Sequence, residues 1–113
     1  MHLNLAFHRS KISNGVICAL AGHLAATACG VEVSDVTSRQ RSRRVSVARQ
    51  IGMYLAHTAA GLPLVVVATH FLRDRTTVAH ACRLIEDRRD DRRFDTRMVE
   101  IENLFRAICG VGK

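Results

Sequence analysis

Two clusters of polar side chains in the sequence have the chemistry of polyanion recognition. The segment 38–44, SRQRSRR, contains four arginines and no apolar residue. The segment 74–80, DRTTVAH, gathers an acid, an arginine, two threonines and a histidine within about two helical turns. Guanidinium groups match phosphates and guanine edges, and hydroxyl, carboxylate and imidazole groups can hydrogen-bond to bases. These residues indicate a binding surface for nucleic acid.

The charge distribution points the same way. The chain has a formal net charge of +7, and residues 1–85 hold ten Lys or Arg against three acids, whereas residues 86–102 hold five against seven. Fifteen of the seventeen cations are arginines, whose planar guanidinium group is well suited to contacts with phosphates and bases. The predicted partner is a polyanion that binds the part of the chain before residue 86. The plain alternative is that segment 39–44 is only a solvated loop.

The remaining residue types do not suggest an enzyme. Cysteines stand at positions 18, 29, 82 and 109 without a C-x-x-C pair, and the spacing of cysteines and histidines matches neither a zinc site nor a redox motif. Each lies in an apolar stretch, so we expect free thiols in a reducing cytoplasm. There is no phosphate-binding G-x-x-x-x-G-K-[ST] loop, no paired-carboxylate set and no metal cluster. We expect no catalysis, cofactor or metal.

The apolar stretch 16–29 superficially resembles a signal peptide, with Cys29 as a lipid acceptor. Gly22 and His23 interrupt it, Ala26 stands where leucine is usual before such a cysteine, and the stretch is too short to span a bilayer as a helix. We therefore predict no membrane partner and a cytoplasmic, nucleoid-associated protein.

The length of 113 residues corresponds to one domain, and one proline with seven glycines favours helices over a turn-rich fold of many short strands. Residues 1–13 show no clear period and are predicted to be a poorly defined segment before a domain at 14–113. We predict a helix over 16–29 that ends at Gly30, and a short turn capped by Ser34 or Asp35. A further helix follows over 45–60 and ends at Gly61.

The segment after Gly61 has the pattern of a helix-turn-helix. Pro63 suits the first turn of a helix that runs to about Phe71, although the run Leu64–Val67 has strand propensity. After a turn at Leu72 and Arg73, a second helix begins near Asp74, whose carboxylate can cap backbone donors. Its apolar stripe is Val78, Ala81 or Cys82, and Ile85, and its polar face is Thr76, Thr77, His80, Arg83 and Asp87. A last helix buries Phe94, Met98, Ile101, Phe105 and Ile108. The prediction is an all-α, compact bundle of about five to six helices with a helix-turn-helix in a Trp-repressor-like arrangement.

Residues 41–89 resemble a known family. The stretches RQIGMYLA, LP, F, RD, TTVAHAC and RLIE follow one another as do the V-A-R-x-R-Q-I-A-M-Y-L-A, S-L-P-E-I-G, F-G-x-R-D-H-T-T-V-x-H-A and K-I-E motifs of the C-terminal DNA-binding domain of the bacterial replication initiator DnaA. With the first helix, the likeness covers about residues 14–109.

The resemblance implies that the helix near Asp74 reads the major groove of double-stranded DNA while Arg41 reaches the minor groove. It places Arg43, Arg49 and Gln50 near the DNA backbone, and Leu62 and Pro63 beside a phosphate. The family's major-groove positions are occupied here by Asp74, Arg75, Thr76, Thr77 and His80. For His80 the alternative is an ordinary exposed histidine, and for Asp74 it is an N-cap only.

Three departures from the family pattern bear on function. Arg75 replaces a base-contacting histidine, which changes the expected sequence preference. Leu64, Val65 and Val66 replace an E-I-G segment, which makes that helix more apolar and suggests a partner surface. Leu72 replaces glycine, so a different turn geometry is expected.

Two functions compete at this point. The first is a stand-alone DnaA-related protein that binds DnaA-box-like sites in double-stranded DNA and regulates replication initiation or transcription. The second is a protein-interaction regulator of the initiator, or of the ATPase that inactivates it, with weak or no specific DNA binding. The observations that favour this second function are Arg75, the apolar run 64–67 and the mixed-charge segment 86–102. Replication-initiation proteins are thus a second class of partner, and the oligomeric state is left open.

Overall fold

A computed structural model describes residues 12–110, and this part of the chain is all-α. Only Ile12 and Ser13 of the predicted N-terminal segment 1–13 belong to it, and the rest of that segment lies outside the described residues. The helices are α1 Asn14–Cys29, α2 Val33–Val36, α3 Arg43–Tyr54, α4 Leu64–Phe71, α5 Arg75–Arg88 and α6 Arg92–Cys109. The predicted bundle of five to six helices is confirmed.

The first helix begins and ends at recognisable caps. The Ser13 hydroxyl accepts a hydrogen bond from the amide of Val16, and Gly30 ends the helix in the left-handed conformation at φ 69°. The end at Gly30 is as predicted. The short α2 forms as expected, but the predicted cap is wrong: α2 begins after Glu32, so that Asp35 lies inside the helix.

The third helix starts earlier than predicted. Ser42 is its N-cap and accepts a hydrogen bond from the amide of Val45 at 3.3 Å, so Arg43 and Arg44 form the first helical turn and not the end of a basic loop. Beyond Tyr54 the chain continues as a π-helical turn, Leu55–Ala59, and Gly61 follows with φ 76°. Helix α3 and this turn together occupy the segment predicted to be one helix.

The core is built where α1 and α3 cross over the side chain of Phe71. A Cβ built on Gly52 would lie 3.3 Å from the Cα of Gly22 and 3.3 Å from the Phe71 ring. A side chain at position 52 would therefore require the Gly22 backbone or the Phe71 ring to give way by a few tenths of an ångström. Because Phe71 is fully buried here, α4 is held as a helix by its packing, which outweighs the strand propensity of its valines.

The last helix buries most of the predicted stripe, since Phe94 and Ile101 pack partly buried against the core, and Ile108 is the exception. Met98 and Phe105 are buried as expected, but Ile108 is 47% exposed, whereas Cys109 and Glu102 face the core. The carboxylate of Glu102 is buried because it accepts a 2.8 Å hydrogen bond from the guanidinium of Arg89. A charged residue thus occupies a core position, which apolar periodicity does not reveal.

Arg89 is the centre of a polar network that ties three helices together. Its guanidinium also contacts the carboxylate of Asp95 and donates to the Tyr54 hydroxyl at 3.1 Å, and that hydroxyl donates to Glu86 at 2.9 Å. Burial, together with the hydrogen bond to Glu86, raises the pKa of Tyr54 to about 12. The network joins α3, the end of α5 and α6, and so holds α5 in place from behind.

The four cysteines are free thiols, as predicted, with Cys18 and Cys109 buried. Burial raises the pKa of the Cys18 thiol to about 11. Among residues 12–110, no helix has both the length and the apolar character needed to cross a membrane.

Candidate nucleic-acid interface

Helix α5 has a buried apolar face and an exposed polar face. Val78, Ala81 and Ile85 are buried, which confirms the predicted stripe, and Cys82 is partly buried. The predicted polar face, formed by Thr76, Thr77, His80, Arg83 and Asp87, is exposed along its whole length. A row of donors and acceptors on a helix that is anchored from behind is the arrangement by which helix-turn-helix proteins present side chains to a DNA groove.

Asp74 and Arg75 stand at the start of this helix. Asp74 is the N-cap residue by backbone conformation, but its carboxylate makes no capping hydrogen bond. The side chain is exposed, as is that of Arg75 in the first helical turn. The prediction that the Asp74 carboxylate caps the helix is therefore wrong. This carboxylate is free to accept a hydrogen bond from an external donor.

The turn between α4 and α5 keeps a left-handed geometry despite its leucine. Leu72 has φ 58° and ψ 46°, and it is the one residue other than glycine with positive φ in the described chain. The amide of Arg73 donates to the carbonyl of Ala68 at 3.0 Å, which closes the helix end in the manner of a glycine C-cap. A different turn geometry was expected from the replacement of glycine; instead leucine adopts the conformation that glycine favours.

The backbone of the basic loop before α3 is held by Arg49, which the family resemblance places near the DNA backbone. Arg49 is only 7% exposed. Its Nε donates to the carbonyl of Val36 at 2.7 Å, and its Nη2 lies 2.9–3.1 Å from the carbonyls of Asp35, Ser38 and Gln40. Burial, followed by the positive charge of Arg73, lowers the pKa of Arg49, yet a guanidinium stays charged in proteins. Arg49 therefore fixes the loop backbone from inside.

A second arginine, which the sequence did not predict as a site residue, connects the loop to the helix-turn-helix. The half-buried Arg73 donates to the carbonyl of Ser38 at 2.8 Å and also to the carbonyls of Phe71 and Leu72. This side chain bridges the turn before α5 and the start of the basic loop. The sequence signal for a role of Arg73 was its place directly before Asp74, in the R-D pair that comes shortly before Thr76 and Thr77.

The side chains of the loop point outward. Arg39 and Arg41 are exposed in the loop, as are Arg43 and Arg44 in the first turn of α3, while Gln50 is half-buried on α3. The Gln40 side chain accepts hydrogen bonds from the amides of Arg41 and Ser42, at 3.1 and 3.3 Å. The loop thus presents guanidinium groups to solvent from a backbone that is tied at several points.

The predicted phosphate position at Leu62 and Pro63 is the N-terminus of α4. Leu62 is buried and its amide donates to the carbonyl of Ala56 at 3.1 Å, so this amide is already used within the fold. Pro63 is the exposed N-cap residue and has no amide proton. The free donors at this helix start are therefore the first amides of α4 itself, beginning at Leu64.

The family described as Bacterial dnaA protein helix-turn-helix matches residues 23–85, from within α1 to the third turn of α5. The chain belongs to this DnaA helix-turn-helix family. It is 42% identical over 82 residues to the chromosomal replication initiator protein DnaA of Aquifex aeolicus, which covers 70% of this chain and 21% of that protein. The DnaA of Pseudothermotoga lettingae is 33% identical over 81 residues, covering 72% of this chain and 18% of that protein.

A third relative, chromosomal replication initiator protein DnaA 2 of Chlamydia trachomatis, is 36% identical over 63 residues, covering 56% of this chain and 14% of that protein. The chain therefore spans about a fifth or less of the length of these DnaA proteins. No solved structure gives a significant match to it. The DnaA match includes both the basic loop and the exposed face of α5.

Proposed function

We propose that this protein binds double-stranded DNA at DnaA-box-like sites and regulates replication initiation or transcription from the nucleoid. Helix-turn-helix domains of the DnaA family are DNA-binding domains, and in this chain the family match reaches into α5, whose polar face is exposed. The observation that carries the proposal is this face, because it stands beside a loop whose exposed arginines are set on an ordered backbone.

In the proposed complex, α5 enters the major groove. Thr76 and Thr77 in its first turn can contact thymine methyls and base edges, and His80 follows one turn later on the same face. The uncapped carboxylate of Asp74 can accept from cytosine N4, and Arg75 is suited to a guanine edge or a phosphate. Since Arg75 replaces histidine of the family pattern, we propose a preference that differs from the common box at the position it reads.

The basic loop lies on the adjacent minor groove in the same proposal. Arg41 is the minor-groove arginine, because the narrow groove concentrates negative potential that attracts a guanidinium. Arg43 and Gln50 contact the backbone, and the α4 start at Pro63 faces a phosphate. The burial of Arg49 changes its proposed role from a backbone contact to the residue that orders the loop, and Leu62 acts through its packing.

A binding titration tests the proposal. The affinity of the chain is measured by mobility shift for a duplex with a DnaA-box site and for a scrambled duplex. We expect the site to be preferred by about a thousandfold. Equal affinity for both duplexes would leave only non-specific binding and would contradict the proposal.

A pair of double variants assigns the effect to the site. Arg41→Ala with Thr77→Ala removes one minor-groove and one major-groove contact, and we expect about a hundredfold loss of affinity. The matched control, Arg92→Ala with Thr96→Ala, removes the same residue types from the exposed surface of α6. If the two double variants lost affinity equally, the contacts would not be at α5 and the loop.

A second function has one observation in its favour. Val65 is 58% exposed on α4 and Val16 is 50% exposed at the start of α1, and a small cavity between these helices is lined by Cys18, Val66 and Thr69. Such apolar exposure suits a protein partner, such as the initiator or its inactivating ATPase. Co-purification with DnaA after nuclease treatment, by a chain that binds neither duplex, would favour this function.

A further inference from the structure

On the side of the molecule lined by α6, a groove lies outside the proposed α5 reading face. It encloses about 750 Å³ between the end of α1, the first turns of α3 and the middle of α6. Its floor is apolar and includes Val47, Ile51 and Ile101. This volume is within the range of roughly 300–1,000 Å³ that is usual for binding pockets. The groove is large enough to take several apolar side chains of a partner.

Arginines surround this apolar floor. Arg43 and Arg44 border it from α3, Arg88 from the end of α5 and Arg97 from α6, and all four side chains are exposed. Within residues 12–110 the ion pairs are those of Arg89, so none of these four guanidinium groups has a carboxylate partner there. An apolar cavity ringed by unpaired positive charge calls for a ligand that is both apolar and acidic.

One contact and one charge effect support the position of the arginines around the groove. The guanidinium of Arg88 lies 4.3 Å from the centre of the Phe94 ring, which also lines the groove, so this charge is held at the rim. Burial raises the pKa of the Cys29 thiol at the groove wall, and the positive charges of Arg97, Arg88 and Arg44 partly oppose this rise.

We infer that this groove binds an acidic amphipathic helix of a partner protein, a function beyond the proposed DNA binding. An inorganic anion would leave the floor unfilled, and a purely apolar ligand would leave four charges unpaired. A helix with apolar residues at every third and fourth position fills the floor, and glutamates on both sides of that stripe meet the arginines. Of the lining residues only Arg88 belongs to α5, and it lies at the opposite end of that helix from Thr76 and Thr77.

The test uses a synthetic helical peptide of about 15 residues, near the shortest length at which isolated helices form. It carries leucines at every third and fourth position and glutamates elsewhere, and its binding to the whole chain is measured by fluorescence anisotropy without DNA. We expect saturable binding. Two comparison peptides, one with lysine for glutamate and one with serine for leucine, are each expected to bind at least about tenfold more weakly.

Charge-reversal variants locate the peptide. Arg44→Glu with Arg97→Glu reverses two rim charges, and we expect at least about a tenfold loss of affinity for the acidic peptide. The matched control, Arg41→Glu with Arg92→Glu, makes the same change in net charge outside the groove lining and is expected to cost less than about threefold. Circular dichroism checks that both variants fold, which their exposed positions favour.

Equal losses in the two variants, or acidic and serine-substituted peptides that bind alike, would overturn the inference, because attraction to the overall positive charge would then explain the binding. Since no DNA is present in these measurements, their outcome is independent of the proposed function. If the chain failed to bind DnaA-box duplexes but bound the acidic peptide at the rim, the proposed DNA binding would be wrong. The groove would then still stand as a binding site.

Discussion

At the scale of single residues, Leu72 occupies a backbone region that leucine rarely adopts. Its φ of 58° places the Cβ close to the following carbonyl, at a cost of about 1–2 kcal/mol. The side chain is 69% exposed, so little packing offsets this cost. The turn is maintained by its hydrogen bonds and by the packing of the helices on either side.

Leu72→Gly should therefore stabilise the protein. The relief of strain exceeds the greater chain entropy that glycine gives the unfolded state, and we expect the free energy of unfolding to rise by about 0.5–1 kcal/mol. Urea denaturation measures the change. Leu72→Ala is the control, because alanine keeps the Cβ and the strain. If the glycine variant were less stable than the alanine variant, the strain argument would be wrong.

Arg49 acts through the loop that it holds. Lysine keeps the charge but cannot donate to four carbonyls, so Arg49→Lys should lower the free energy of unfolding by about 2 kcal/mol. Hydrogen exchange of the amides in 38–42 should also become faster. Arg43→Lys, at an exposed position, should change stability by less than about 0.5 kcal/mol. Unchanged stability and exchange in Arg49→Lys would contradict this role.

At the scale of helices, the crossing of α1 and α3 depends on two glycines that are not equivalent. A Cβ on Gly22 would lie 3.5 Å or more from its nearest neighbours, an ordinary contact, whereas one on Gly52 would press on the Gly22 backbone. The separation of the two helices is therefore set by residue 52.

This difference predicts opposite effects of two substitutions. Gly22→Ala should stabilise the protein by about 0.5–1 kcal/mol, since alanine is the better helix former and the space exists. Gly52→Leu should destabilise it by roughly 2–3 kcal/mol, because the larger side chain must separate α1 from α3 and displace Phe71. Thermal unfolding of the two variants measures both. Destabilisation by Gly22→Ala would show that the helices are packed more tightly at residue 22 than the structure indicates.

Helix prediction from the sequence succeeded where the apolar period was regular and failed where a polar group was buried. The stripe Val78, Ala81 and Ile85 of α5 follows directly from its spacing. In α6, Glu102 is a core residue because Arg89 approaches from another helix, and no local pattern encodes that contact. The start of α3 was missed because Ser42 looks like one more polar residue among arginines until its hydroxyl is seen capping the helix.

At the scale of the whole molecule, the exposed polar face of α5 was predictable, but the internal arginines were not. Thr76, Thr77 and His80 are exposed as their helical spacing requires. Arg49 belongs by sequence to the same basic region as Arg41, yet it is buried, because it satisfies the carbonyls of the loop. Sequence alone counts both as surface charges, since the difference arises only when α3 packs beside the loop.

The positive charge of the molecule predicts how DNA binding responds to salt. If about five phosphates are neutralised by the loop and α5, log affinity should fall with log salt concentration at a slope of roughly −4 to −5. Arg41→Ala should reduce this slope by about one, whereas Thr77→Ala should weaken binding with little change in slope. Titrations at several salt concentrations give these values. A flat salt response would exclude the proposed phosphate contacts.

In the proposed complex the exposed polar face of α5 and the basic loop contact the same DNA duplex. Amide chemical shifts of the chain, followed by nuclear magnetic resonance during titration with a DnaA-box duplex, test it most directly. We expect the largest changes at residues 39–43 and 74–83 and none on the exposed surface of α6 around Arg92 and Thr96. Changes centred on α6 or α1, with α5 unchanged, would contradict it.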